Sequence, residues 1–248
     1  MPEGRRVLIL GGTAEAVGLA TKISGSWHVT YSLAGRTRTP SLPENVNIRT
    51  GGFGGADALA DWLLENDTDR VIDATHPFAH QIAVNAQRAC ETAGIARLKL
   101  VRPAWKPVSG DDWRLVSDPN AAAALLPSLG QRGFLSIGRQ DLAAFAEAPD
   151  TAFLVRTVDR LETMPLANAT CVTGRGPFSE AQETNLLRQH RIDVLVSKNA
   201  GGDSTYAKIE AARKLSIPVI MIGRPDPVAG ETLETVDDAV GWLATKES

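Results

Sequence analysis

The chain is poor in the residues that build metal centres and cystine scaffolds: among 248 residues there are two cysteines, Cys90 and Cys171, and four histidines. The two thiols lie far apart in sequence without partners at metal-ligand spacing. That argues against a zinc site and a disulfide framework and makes a reducing cytoplasm the natural compartment. No metal is expected. Aromatics make up only 5% of the residues, and no apolar run approaches the length of a membrane span. Residues 1–6 lead straight into the four-residue apolar run 7–10, too short for a secretory leader, so neither export nor membrane insertion is expected. Neither charge sign dominates. A net charge of −3 offers no long-range attraction for nucleic acid or an anionic membrane, so an anionic ligand must be held by local cations. There is no internal repeat, low-complexity tract or long linker.

What the chain does have is regular alternation of strand and helix patterns. Residues 7–10 form a continuous apolar run, as expected of a strand covered on both faces, and Val17, Ala20 and Ile23 then share a helical side. Val29, Tyr31 and Leu33 alternate in a second strand, and Val46 and Ile48 mark a third. Ala56, Leu59 and Leu63 mark a helix, Val71 and Ile72 a fourth strand, Ile82, Ala86, Ala89 and Ala93 another helix, and Leu98 and Leu100 a fifth strand. After Trp105-Lys106-Pro107, strand patterns return at residues 134–137, 152–155, 194–196 and 219–222. Ser179 with Gln182 reads as a capping box, and Thr235 with Asp238 as the start of a final helix. The pattern predicts two doubly wound, mostly parallel-sheet Rossmann-like α/β domains, residues 1–103 and 104–248, with a ligand in the cleft between them.

Candidate site residues cluster where predicted strands end, which is where open α/β sheets bind ligands. Gly11-Gly12-Thr13-Ala14-Glu15 joins the first strand to the first helix, so its backbone can approach a diphosphate at a helix N-terminus. It is not a full G-x-G-x-x-G motif, and an unliganded tight turn would read the same. After the second strand there is no acid up to Pro40; Arg36 and Thr37 stand there instead, which suits the 2′-phosphate of NADPH rather than the ribose hydroxyls of NADH. Gly51-Gly52-Phe53-Gly54-Gly55 follows the third strand and reads equally as a surface for a flat ligand or as a plain loop. In Asp73-Ala74-Thr75-His76-Pro77, Pro77 suits a first helical position with His76 as the preceding cap. His76 also qualifies as a proton donor, although a helix N-terminus disfavours its cation. His28, His80 and His190 fall in strand or helix bodies and read as structural or solvated.

In the second half Gly138-Arg139, Gly174-Arg175-Gly176 and Lys198-Asn199-Ala200-Gly201-Gly202 repeat the coupling of glycine with a cation after a strand. That pattern suits a ligand with several carboxylates or phosphates, although any one of these cations alone reads as surface. Tyr206 and Lys208 fall on a helix starting near Asp203.

Taken in order, residues 8–15, 34–37, 51–55 and 73–79, Arg102-Pro103 with Trp105, residues 175–178, 198–202 and 217–220 resemble the precorrin-6A reductase family of cobalamin biosynthesis over nearly the whole chain. The resemblance implies a two-domain fold and NADPH-dependent reduction of one double bond in an anionic corrin-ring precursor. Many members of that family have serine in the segment matching residues 198–201; Ala200 has no hydroxyl, so no serine hydrogen bond carries over. Combining both lines, Gly11, Gly12, Thr13, Glu15, Arg36, Thr37, Gly52, Phe53, Thr75, Gly201 and Gly202 are the expected cofactor residues. Arg102, Arg139, Arg175 and Lys198 are expected to bind the macrocycle's carboxylates, with water, His76, Tyr206 or a substrate carboxylate as the source of the proton. A nucleotide-sensing regulator without turnover is the alternative. A methyltransferase fits less well, because it normally favours an acid where Arg36 stands.

Overall fold

The computed structural model describes residues 4–35, 38, 40–148 and 150–245. The chain divides into a first unit, Met1–Pro103 with Asp226–Ser248, and a second unit, Ala104–Pro225.

The first unit opens with β1 (Arg6–Leu10), α1 (Ala14–Ile23), β2 (His28–Leu33), β3 (Asn47–Thr50), α2 (Ala56–Glu65), β4 (Arg70–Asp73), α3 (His80–Ala93) and β5 (Ala96–Leu100). The second unit contributes β6 (Trp113–Val116), α4 (Pro119–Leu125), β7 (Arg132–Ser136), β8 (Ala152–Thr157), β9 (Ala169–Thr173), α5 (Glu180–Gln189), β10 (Val194–Lys198), α6 (Ala207–Lys214) and β11 (Val219–Ile222). The chain then returns to the first unit with β12 (Glu231–Leu233) and α7 (Val236–Ala244).

Each unit holds one six-stranded sheet, in the orders β3-β2-β1-β4-β5-β12 and β9-β8-β7-β10-β11-β6. Every described pairing is parallel. Both orders reverse direction at the sheet centre, between β1 and β4 and between β7 and β10. The doubly wound α/β expectation holds. The central strands are apolar on both faces because helices cover both: Val7, Ile9 and Ile72 meet α1 and α7, while Leu8, Leu10 and Val71 meet α2 and α3. In the second sheet Phe134, Leu195 and Met221 pack with residues of α5 and α6. Cys90 lies within the α2–α3 layer, where burial pushes its thiol pKa up to about 12.

One expectation is corrected. The second domain does not run to residue 248, because β12 pairs with β5 through Glu231 opposite Leu98 and Leu233 opposite Leu100. Behind it, Ala239 and Leu243 of α7 enter the core of the first sheet. The local signal was sound: Thr235 Oγ1 accepts the Asp238 N–H at 3.1 Å and starts the helix. A cap fixes where a helix begins, and says nothing about which sheet it covers. The strands missing from the sequence reading, β6, β9 and β12, are all sheet edges. Edge strands with a solvated face carry weak apolar patterns, and Leu115 of β6 is 72% exposed.

Leu243→Ala is therefore expected to cost about 2–5 kcal/mol, whereas Leu115→Ala stays within about 0.5 kcal/mol of the parent. Urea denaturation of the two variants checks the assignment; equal midpoints would contradict it.

Candidate functional site

The winding of the first sheet reverses between β1 and β4, which opens a crevice at their C-terminal ends. Thr13 spans that point. As the N-cap of α1, its Oγ1 accepts the Ala16 N–H at 3.2 Å and donates to the Ala74 carbonyl beyond β4 at 2.9 Å. Its hydroxyl proton is thereby committed, so Thr13 shapes the site and donates no side-chain hydrogen bond to a ligand.

The two glycines before it have different causes. A Cβ on Gly11 would overlap the Tyr31 ring and stand 2.5 Å from its Oη. Gly12 adopts φ +119 and faces open space, with no atom within 4 Å of where its Cβ would be. Its N–H donates to Tyr31 Oη at 3.2 Å. Tyr31 is fully buried, and that burial raises the phenol pKa while the Gly12 N–H partly opposes the shift. Glu15, in the first turn of α1, pairs with Arg102 at 2.8 Å. Two residues expected to serve different ligands thus neutralise one another, leaving the helix N-terminus to act on an anion through its N–H groups.

Beside this turn lies a buried charged cluster that sequence reading missed. Asp73 is completely buried at the end of β4, and its Oδ1 accepts from Lys99 Nζ at 2.9 Å, Thr75 Oγ1 at 2.7 Å and the Thr75 N–H at 3.1 Å. Lys99 also donates to Thr75 Oγ1 at 3.1 Å, while Arg97 stands 3.7 Å from Asp73 Oδ2. Strand register explains the cluster: Asp73 lies opposite Lys99, and Val71 opposite Arg97. Apolar neighbours on the same face screen little, so Asp73 holds two cations in place. Thr75, expected at the cofactor, has its hydroxyl proton committed to Asp73.

The segment after Thr75 departs from expectation. Pro77 does not start α3; residues 76–79 form a turn closed by the Ala79 N–H to the His76 carbonyl at 2.8 Å, and Ala79 is the N-cap. Proline suits the second position of such a turn as well as a first helical position, and here the turn prevails. His76 Nδ1 accepts the Phe78 N–H at 3.3 Å, which leaves Nε2 as the atom that carries a proton. In the loop after β3, Arg49 donates to the Gly51 carbonyl at 2.7 Å and the Gly52 carbonyl at 3.0 Å, and its guanidinium lies 3.6 Å from the Phe53 ring centre. Phe53 also meets Trp62 edge-on. The loop is anchored inward by these contacts. Arg36 and Thr37 lie outside the described residues.

In the second unit the equivalent reversal, between β7 and β10, brings Lys198 at the tip of β10 into an ion pair with Asp141. Arg139 is exposed on the same segment that follows β7. Asn199 exchanges two side-chain hydrogen bonds with the Trp105 backbone, and Trp105 Nε1 donates to the Gly202 carbonyl at 2.8 Å. Gly201 and Gly202 both have positive φ, +70 and +73. Arg224 holds the Asn199 and Ala200 carbonyls, each at 3.0 Å, so the loop keeps its shape without a hydroxyl at position 200. Tyr206 caps α6, packs on Trp105 and accepts from Arg213 at 2.8 Å, with Arg213 anchored in turn by Asp111. Arg175 is exposed in a loop whose Gly176 fits closely against the Ser204 carbonyl. Behind that loop the Arg156 guanidinium lies over Phe178 and grips Glu183 through two hydrogen bonds.

The arrangement suits anions at two separate strand-end clusters. In the first unit the donors are backbone N–H groups at the N-terminus of α1, which fit a diphosphate; the Gly11 and Gly12 N–H groups are already given to the Ser32 carbonyl and Tyr31 Oη. In the second unit the donors are guanidinium and ammonium groups, which fit carboxylates. Tyr31, Arg49, Asp73, Lys99 and Asp141 join the site from geometry. Of these, Asp73 alone stood in a segment that the sequence singled out.

Compared with known proteins, residues 6–244 match the family described as Precorrin-6x reductase CbiJ/CobK. A Precorrin-6A reductase from Rhodococcus erythropolis is 48% identical over 243 residues, covering 97% of this chain and 98% of that protein. A Cobalt-precorrin-6A reductase from Salmonella typhimurium is 30% identical over 248 residues, covering 92% of this chain and 90% of that one. A solved structure described as CobK precorrin-6A reductase superposes with a TM-score of 0.92 at 43% identity, covering 97% of this chain and 96% of the other. Among the described residues, no helix is long and apolar enough to cross a membrane.

Asp73→Asn removes the charge that compensates two cations in the first cluster, and the expected cost is about 3–5 kcal/mol of stability. Adding Lys99→Met to that variant should restore part of it. A double variant no more stable than Asp73→Asn in urea titration would show that Lys99 does not depend on Asp73.

Proposed function

The chain belongs to the precorrin-6x reductase CbiJ/CobK family, and from that premise we propose that it reduces one double bond of precorrin-6A, using NADPH. The observation that carries this reading is similarity to precorrin-6A reductases that runs through both units rather than one. A nucleotide sensor needs only one nucleotide-binding unit; here the second unit has its own cationic strand-end cluster. Identity of 48% to a relative named for precorrin-6A, against 30% to one named for cobalt-precorrin-6A, favours the ring without cobalt as substrate.

NADPH, when bound, supplies the hydride. The chain's contribution is to bind, orient and supply a proton. Gly11 and Gly12 let the turn approach the diphosphate, Thr13 and Thr75 hold the turn and the tip of β4 in register, and Arg36 with Thr37 receives the 2′-phosphate. Gly52, Phe53, Gly201 and Gly202 present backbone or ring surface to the cofactor. Arg139, Arg175 and Lys198 take carboxylates of the ring; Arg102 joins them to the extent that Glu15 releases it. For the proton, the two side-chain candidates differ in what each must release. The Tyr206 phenol accepts from Arg213 and keeps its own O–H to give, whereas His76 can give a proton only as the imidazolium, a form that the Phe78 N–H on Nδ1 opposes.

The test is turnover: NADPH with precorrin-6A should lose nicotinamide absorbance while the ring gains two hydrogens in mass, and cobalt-precorrin-6A should be the poorer substrate. Binding of NADPH without any ring-dependent oxidation would favour the sensor instead. Arg36→Ala is expected to lower the preference for NADPH over NADH roughly ten- to hundredfold. An unchanged preference in paired titrations would remove Arg36 from the 2′-phosphate site.

A further inference from the structure

The second unit contains a buried ion pair that the proposed reaction does not use. Arg156 of β8 and Glu183 in the first turn of α5 meet through two hydrogen bonds of 2.6 and 3.0 Å, and their side chains are 11% and 1% exposed. Apolar residues of similar volume often replace such a pair without loss of stability, so its place in a core calls for a reason other than stability. Its surroundings supply one. The guanidinium lies 4.1 Å from the ring centre of Phe178, the last residue before the Ser179 cap of α5.

Residues 174–178 join β9 to α5 and include Arg175. Backbone contacts hold both ends of this loop: the Gly174 N–H donates to the Thr157 carbonyl at 3.0 Å and the Phe178 N–H to the Ser204 carbonyl at 3.4 Å. Phe178 also lies against Gly174, where a Cβ would stand 3.2 Å from its ring, and a Cβ on Gly176 would stand 2.5 Å from the Ser204 carbonyl oxygen. The loop thus moves with the Phe178 ring, and the ring rests on Arg156. A guanidinium gripped at two nitrogens by one carboxylate has its plane fixed, so Glu183 sets the surface against which Phe178 packs. Arg175 stands exposed between these anchors. We infer that Arg156 and Glu183 are positioning residues for ring binding: through Phe178 they hold the loop so that Arg175 meets a carboxylate of the substrate at a fixed place. This rests on the reading of Arg175 as a carboxylate contact. A guanidinium fork matches a carboxylate only in one plane, so aim counts as well as charge.

The experiment is steady-state kinetics of the full-length protein with NADPH and precorrin-6A, run well below the unfolding temperature of each variant. Arg175→Ala is expected to raise the KM for the ring about tenfold. Glu183→Gln should raise it roughly three- to tenfold while leaving kcat and the KM for NADPH as in the parent. The double variant shows whether Glu183 acts through Arg175: on top of Arg175→Ala, Glu183→Gln should raise the KM no further. An additive rise would overturn the inference, as would a ring KM that Glu183→Gln leaves unmoved or a parallel loss of kcat and NADPH affinity, the mark of general loosening. Should Glu183→Gln fail to fold, Arg156→Lys and Phe178→Leu make the same comparison, since lysine keeps the charge without the planar face and leucine removes the ring. Both should raise the KM in the parent and not in Arg175→Ala. A parental KM in Arg175→Ala would overturn the reading of Arg175 together with the inference; a raised KM there, with an additive effect of Glu183→Gln, would overturn the inference alone.

Discussion

The hydroxyl of Thr13 holds the first unit's site together. By donating to the Ala74 carbonyl while accepting the Ala16 N–H, it ties the end of β1, the start of α1 and the exit of β4 at the point where the sheet reverses. Parallel sheets bring successive strand ends to one edge, but the loops beyond those ends are free to diverge. Here they are not. Gly11 and Ala74 continue the β1 pairings past the strands, donating to the Ser32 and Leu10 carbonyls, so the crevice edge is made of backbone whose direction is fixed. The consequence is preorganisation: the turn leading into the N-terminus of α1 is fixed in direction, so an anion bound there would leave little conformational entropy to be lost.

The second unit meets the same topological problem with different chemistry. Its loop after β10 has two consecutive left-handed glycines and no capping hydroxyl, and side chains from elsewhere hold it: Asn199 against the Trp105 backbone, Trp105 on the Gly202 carbonyl, and Arg224 on two further carbonyls. Arg156 does comparable work for the loop that bears Arg175, with its charge balanced by the buried Glu183 and its plane laid on Phe178. One unit therefore presents backbone N–H groups and the other presents side-chain cations. The first suits a diphosphate of fixed shape, the second a set of carboxylates on flexible arms.

Legibility from sequence followed burial and chain distance. Strands covered on both faces, such as residues 7–10 and 219–222, declare themselves as apolar runs, and the Ser179 capping box appears in the structure with both hydrogen bonds formed. The edge strands β6, β9 and β12 carry no such run. The return of residues 226–248 to the first sheet was invisible for a further reason: pairing of Leu233 with Leu100 is decided by tertiary fit across more than half the chain, and nothing local records it. The site divides in the same way. The diglycine turn and the glycine-cation pairs are contiguous and could be read directly. Tyr31 under Gly11, Lys99 against Asp73 and Asp141 against Lys198 are contacts between separate elements, created by strand register and by the reversal of winding.

These contacts change what the cations mean. Read singly, Arg102 and Lys198 were groups waiting for a carboxylate; folded, they face Glu15 and Asp141. In a protein of net charge −3, such internal pairs have an electrostatic consequence. Within each unit, pairing a strand-end cation with a nearby carboxylate neutralises it locally without removing the charge. A ligand carboxylate then exchanges with an internal one, so each contact is worth less than a free ion pair, and binding depends on several contacts made together in the right geometry. A ring with many acidic arms can make such a set, whereas a small monoanion trades one carboxylate for another with little gain. Internal pairs of this kind would favour a large polyanion over a small monoanion for the same reason that they weaken each single contact.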